Sequence, residues 1–183
     1  QVDGGGSLSF DEIIEGTQVI DVTSTEALLV RKNADGGDVF VVDTTNVRVG
    51  IGTAAPTSIL NLVEVSSSPS IDIDTYSAST GNNSSLNLRK SKGTTVGTQV
   101  DTVDGDELGT IAFQGVNTGD NFDNGARIFA KQSGAAGNDE IPADLYLDTY
   151  GDTALNTNQL VLHHDGGIGI GTAVPAVTLH AQG

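Results

Sequence analysis

No cysteine, methionine or tryptophan occurs in the 183 residues, and aromatic side chains are limited to five Phe and three Tyr. Without cysteine, neither a disulfide framework nor a thiolate metal site is possible. With so few aromatics, the side chains that bury the most area are missing, and a core made by this chain alone is thin for its length. Some burial is therefore expected to come from oligomerisation. Basic residues are scarce too: eight Lys and Arg stand against 24 Asp and Glu, a formal net charge of −16. Nucleic acids and anionic membrane surfaces need a basic footprint, so neither is an expected partner. The acidic residues are scattered, which reads as solubility and resistance to nonspecific association. No apolar run approaches the roughly 18 residues of a membrane span, and no signal peptide is visible at Gln1. Because the first residue is Gln1 and not Met, the chain is read as a processed product or a piece of a longer one.

Glycine, by contrast, is abundant at 24 residues, and several belong to a segment that occurs twice. The first copy is Val49-Gly50-Ile51-Gly52-Thr53-Ala54-Ala55-Pro56, followed by Ile59-Leu60-Asn61-Leu62. The second is Ile168-Gly169-Ile170-Gly171-Thr172-Ala173-Val174-Pro175, followed by Thr178-Leu179-His180-Ala181. Side chains alternate along a strand, so Val49, Ile51 and Thr53 share one face while Gly50 and Gly52 share the other. Alternating glycines in a strand mark a backbone that something approaches closely. Each copy is too thin to bury its own apolar face, and the repetition points to a modular joint in a longer β structure.

The remaining segments read as short strands with turn signals between them. Ser9–Gly16 carries a capping-box pattern and predicts at most two turns of helix, with a strand running into Thr17–Val22 as the alternative. Ala27–Arg31 and Val39–Asp43, separated by an Asn/Asp/Gly cluster, predict a β-hairpin, and Asp43–Asn46 a second turn. Ser66-Ser67-Ser68-Pro69 marks a module boundary. Beyond it, strands are expected at 71–74, 85–89, 107–115, 126–131, 143–149 and 159–163, with polar connections at 93–105, 117–124 and 134–142. This spacing, without a long helix, indicates an all-β chain. Four regions are expected: an N-terminal connector (1–26), the hairpin with the first Gly-Ile-Gly-Thr unit (27–65), a β-rich, sandwich-like module (66–164) and the second Gly-Ile-Gly-Thr unit (165–183).

From Leu86 to Leu179 an ordered series of motifs appears. It comprises Ser85-Leu86-Asn87-Leu88-Arg89 running to Gly93-Thr94, then Gly105-Asp106-Glu107-Leu108-Gly109-Thr110-Ile111-Ala112-Phe113-Gln114-Gly115. Gly125-Ala126-Arg127-Ile128, Asp139-Glu140-Ile141-Pro142-Ala143-Asp144-Leu145 and Gly169-Ile170-Gly171-Thr172-Ala173-Val174-Pro175 follow. The series resembles a module of tailed-bacteriophage tail fibres and related phage structural proteins. The hairpin at 27–43 with Val49–Leu62 also resembles a segment frequent in such fibres. The chain departs from the family at Ala143, where Gly is common, and at Leu160-Val161-Leu162-His163-His164, where Met-Arg-Ile is usual. In many relatives the last motif precedes an intramolecular chaperone domain that trimerises the fibre and cleaves itself off. Gly183 stands about where that domain would begin, and it is expected to be either removed or never present.

The resemblance implies an elongated, intertwined homotrimeric fibre in which short shaft-like repeats flank the central module. It also implies an extracellular virion location, other virion tail or fibre proteins as partners, and contact with a host surface glycan or protein receptor. Val49, Gly50, Ile51, Gly52, Ile168, Gly169, Ile170 and Gly171 are then the candidates for the connector or trimer axis. Receptor contacts are expected on loops held by a rigid scaffold, with Phe122, Asp120, Asp123, Asn138 and Asp139 as the candidates. Phe113 and Phe129 are assigned to the core or the trimer interface.

No catalytic residue, cofactor or metal is expected. Carboxylates abound, but no Gly-x-Ser-x-Gly elbow is present, and the scarce aromatics argue against an extended sugar-stacking groove. A polysaccharide-degrading spike component and a bacterial surface filament or adhesin are the alternative functions. Asp101, Asp104, Asp106 and Glu107 lack EF-hand spacing and read as a solvated acidic loop. His163 and His164 read as ordinary solvated side chains, because neighbours in a strand point to opposite faces and do not readily share one ion.

Overall fold

The computed structural model describes residues 19–32, 37–151 and 154–181. Among them are ten strands and no helix. The helical turn expected at Ser9–Gly16 lies outside the described residues, and 19–22 form no strand. The chain divides into two compact units, residues 1–76 and 77–183.

The first unit holds a four-stranded sheet. Its strands are β1 (Leu28–Arg31), β2 (Asp38–Asp43), β3 (Arg48–Ile51) and β4 (Leu60–Leu62), lying side by side in chain order. The predicted hairpin is β1–β2, with Leu29 opposite Val41. Asp43 closes the next turn: its carboxylate accepts from the Asn46 backbone N–H at 2.9 Å and from the Asn46 side-chain amide at 2.8 Å. β4 then returns parallel to β3. Parallel neighbours usually need a dozen or more connecting residues. Residues 52–59 suffice here because β3 is only four residues long, so the return covers roughly 10 Å.

In the second unit one six-stranded sheet runs β10-β9-β8-β7-β6-β5. The strands are β5 (Glu107–Val116), β6 (Phe122–Gln132), β7 (Ala143–Tyr150), β8 (Leu155–Leu162), β9 (Ile168–Ile170) and β10 (Leu179–Ala181). The first five pair antiparallel, and β10 lies parallel to β9. The second Gly-Ile-Gly-Thr unit thus continues this sheet. Among the described residues each unit holds a single sheet, so the sandwich-like layering expected of 66–164 is not formed within the second unit.

One expectation is corrected. Residues 71–74 and 85–89 alternate as strands should, yet form none. A strand needs a neighbour to take its backbone hydrogen bonds, and no strand of the described chain pairs with either segment. Ile71, Ile73, Leu86 and Leu88 remain exposed.

Candidate functional site

The registers of the second sheet place apolar side chains in unbroken rows. Ile111 pairs with Ile128, Ile128 with Leu147, Leu147 with Leu160, Leu160 with Ile170 and Ile170 with Ala181. Two residues away on the same face, Gly109, Ala130, Leu145, Leu162, Ile168 and Leu179 make a second row. This apolar face lies open: Ile111 is 46%, Phe113 56% and Leu179 61% exposed. The row between them, on the opposite face, is Thr110, Phe129, Tyr146, Val161, Gly169 and His180. Although it is the more mixed in character, it is the covered face. Phe129 and Val161 are buried, Phe129 stacks on Tyr146 with ring centroids 4.8 Å apart, and the Arg127 guanidinium sits 4.0 Å above the Phe129 ring. Arg127 also reaches the buried Asp148 at 3.3 Å. Ala173, in the turn after β9, lines the same hollow as Arg127, Phe129, Tyr146 and Asp148.

The four-stranded sheet repeats the pattern. Leu28, Val42, Val49 and Leu60 form one row, and Val30, Phe40, Ile51 and Leu62 a second on the same face. Leu28, Val30, Ile51 and Leu60 are exposed. Leu29, Val41, Gly50 and Asn61 lie on the other face, where Val41 and Gly50 are buried.

The repeated unit produces this asymmetry. After β3 the chain turns back over its own strand, Pro56 is buried, and the Arg48 guanidinium donates to the Pro56 carbonyl at 2.7 Å. A Cβ on Gly50 would collide with the Thr53 carbonyl, and one on Gly169 with the Thr172 carbonyl. Gly52 and Gly171 open the turns at φ of 75° and 74°, a region L-residues avoid. Glycine therefore occupies the face under the turn, while Val49, Ile51, Ile168 and Ile170 project from the open face. Within the chain, the close approach that the glycines permit is made by the chain's own turn.

The receptor-contact candidates fall in two places. Asp120 has φ of 60° in the β5–β6 turn, which Asn117 organises by accepting from the Gly119 and Asn121 N–H groups. Asp123 accepts from the Asn117 side chain, and Phe122 is 72% exposed. Asn138 and Asp139 are exposed in the tight turn closed by the Gly137 N–H and the Glu140 carbonyl. These turns lie at opposite ends of β6, roughly 30 Å apart at the usual rise per residue. The 93–105 connection meets the 133–142 loop: Asp104 accepts from the Gly134 N–H at 2.9 Å, and the Gly105 N–H donates to the Gln132 carbonyl at 2.9 Å. Asp106 is also occupied, accepting from the Val103 N–H and pairing with Lys92.

His163 and His164 are not separated. β8 ends at Leu162, and a turn follows, with the His163 N–H donating to Gly167 and the Gly166 N–H to His163. Both imidazoles therefore face Asp144 of β7, with His164 Nδ1 2.9 Å from Oδ1 and His163 Nε2 3.7 Å from Oδ2. Burial pushes the Asp144 pKa up, but the His164 backbone N–H and ring, with the nearby His163, outweigh it and hold the carboxyl below its ordinary value. Asp165 is held low by the Gly167 N–H and by His163. Strand alternation, applied one residue too far, hid this cluster.

No protein-family model matches the chain, and no curated protein matches it. Among solved structures it is similar to the carboxy-terminal domain of the bacteriophage T5 L-shaped tail fibre, with a TM-score of 0.53 and 16% identity. The match covers 76% of this chain and 59% of that one. The fold is thus all-β and tail-fibre-like.

Proposed function

We propose that the chain is a non-enzymatic structural and adhesive component of a bacteriophage tail fibre, assembled as a homotrimer and carried on the virion. The observation that carries this reading is the open apolar face of each sheet. Soluble monomers rarely expose contiguous apolar patches of this kind, and covering one Ile or Leu contributes about 1.5–3 kcal/mol. A closed ring of identical chains would cover the same rows in every copy. The edge strands and the unpaired alternating segments at 71–74 and 85–89 also favour partner chains. The tail-fibre-like fold supports the virion setting, and the sequence resemblance supports three copies. Phe122, Asp120 and Asp123 at one end of β6, and Asn138 and Asp139 at the other, are proposed to meet the host glycan or protein receptor. Other tail or fibre proteins would hold the assembly on the particle.

Light scattering tests the assembly. Three chain masses are expected for the folded protein, and a monomeric mass would overturn the trimer. Adsorption tests the adhesive role. Purified protein should compete with phage for host cells, and exchanging the 117–124 and 134–142 loops for those of a phage of another host should abolish the competition. Unchanged competition after both exchanges would rule these loops out as the contact surface.

A further inference from the structure

We propose that Asp144, His163 and His164 bind one divalent transition-metal ion of the zinc class per chain. Asp144 comes from β7 and the two imidazoles from the turn after β8, so elements 20 residues apart converge. One donor atom from each of the three residues lies within 4.8 Å of the others. Ligand bonds of about 2.0–2.2 Å place neighbouring donors about 3–3.5 Å apart, and each imidazole has a carboxylate oxygen near that spacing, His164 Nδ1 at 2.9 Å from Oδ1 and His163 Nε2 at 3.7 Å from Oδ2. Two imidazoles and one carboxylate suit Zn²⁺ and its first-row neighbours. They do not suit Ca²⁺, which takes six to eight oxygens.

The surroundings match those of a ligating set. An imidazole bound through one nitrogen generally has the other oriented by a carboxylate. His163 turns Nε2 toward Asp144, while its other nitrogen, Nδ1, is buried and lies 2.7 Å from the Asp165 carboxylate. That carboxylate stands where the orienting partner of a ligating imidazole would stand. Tyr146 donates its hydroxyl to Asp144 Oδ2 at 3.3 Å and steadies the carboxylate. The His164 side chain is one-third exposed, which gives an ion a way in from solvent. The buried Asp144 is satisfied without His163: the His164 backbone N–H and ring reach Oδ1, and the Tyr146 hydroxyl reaches Oδ2. The placement of His163 against Asp144 on one side and Asp165 on the other is what a ligand role explains. The cluster shares the covered face with Tyr146 and stands apart from the apolar rows, so it does not depend on how chains assemble.

The test uses the full chain, stripped with a chelator and titrated with Zn²⁺ by calorimetry, with Co²⁺ as a spectroscopic probe. One ion per chain is expected, with Co²⁺ giving the visible bands of a nitrogen–oxygen site. His163→Gln and His164→Gln should each weaken Zn²⁺ binding by at least ~10-fold, and Asp165→Asn by ~10–100-fold. His180→Gln should leave binding unchanged. Circular dichroism checks folding; His163 makes the fewer contacts with Asp144, so His163→Gln is decisive if His164→Gln misfolds. Absence of saturable binding, or binding that His163→Gln leaves intact, would overturn the proposal.

Discussion

A Cβ placed on Gly50 would sit 2.6 Å from the Thr53 carbonyl oxygen, because the turn after β3 folds down onto the strand it has just left. The nearest atom belongs to the backbone and cannot swing aside as a side-chain tip would. Gly50→Ala should therefore cost about 1–3 kcal/mol, the usual penalty of overpacking. Thermal unfolding of the two proteins measures it, and equal midpoints would mean that the turn does not rest on the strand.

Val47 and Gly166 occupy equivalent positions two residues before the two copies, and both have positive φ, 58° and 92°. A β-branched residue in this region is strained, and Val47 is exposed, so its side chain is not held there by a core. Val47→Asn keeps the turn and relieves the strain. It should stabilise the protein by about 1 kcal/mol, read as a raised midpoint in denaturant. A lowered midpoint would show that Val47 makes contacts worth more than its strain.

Thr110 and Ile111 are adjacent, exposed and on opposite faces of β5. If the apolar rows join chains, Ile111→Asp buries a charge at the interface and should reduce the assembly to monomers in light scattering. Thr110→Asp should leave the assembly mass unchanged. Equal behaviour of the two variants would remove the face-specific explanation.

Asp43 supplies the pH dependence. The Asn46 side chain hydrogen-bonds its carboxylate and, against the opposing effect of burial, holds its pKa below the ordinary 3.8, with the Asn46 and Thr45 N–H groups assisting. A carboxyl with a depressed folded pKa stabilises fully above its unfolded value and loses that contribution as pH falls through the folded one. The melting difference between wild type and Asp43→Asn should accordingly be widest at neutral pH and close in acid, below about pH 4. A difference constant across that range would mean that ionisation of Asp43 is not what holds the turn.

Much of the fold was legible in the chain because period-two alternation and turn chemistry are local properties. β2, β3, β5, β7 and both Gly-Ile-Gly-Thr units follow from them directly. Alternation was misleading at 71–74 and 85–89, since it reports which way side chains point and not whether a neighbouring strand exists. It also misled at His163 and His164, where the strand ends one residue before the pair and a turn rotates both rings toward Asp144. A glycine at 166 and another at 167 were the available signals of that turn.

The sequence by itself determined the class of the protein: all-β, acidic, poor in core-forming aromatics, and built with one joint used twice. Those features depend on composition and on residues within one turn of each other. Which face each sheet would leave open was decided only in three dimensions. The turn after Gly52 can lie over either side of β3 as far as the pattern shows, and the glycine at 50 admits it to one. Once the Thr53 carbonyl occupies that side, Val49 and Ile51 are committed to the other, and the apolar rows face outward.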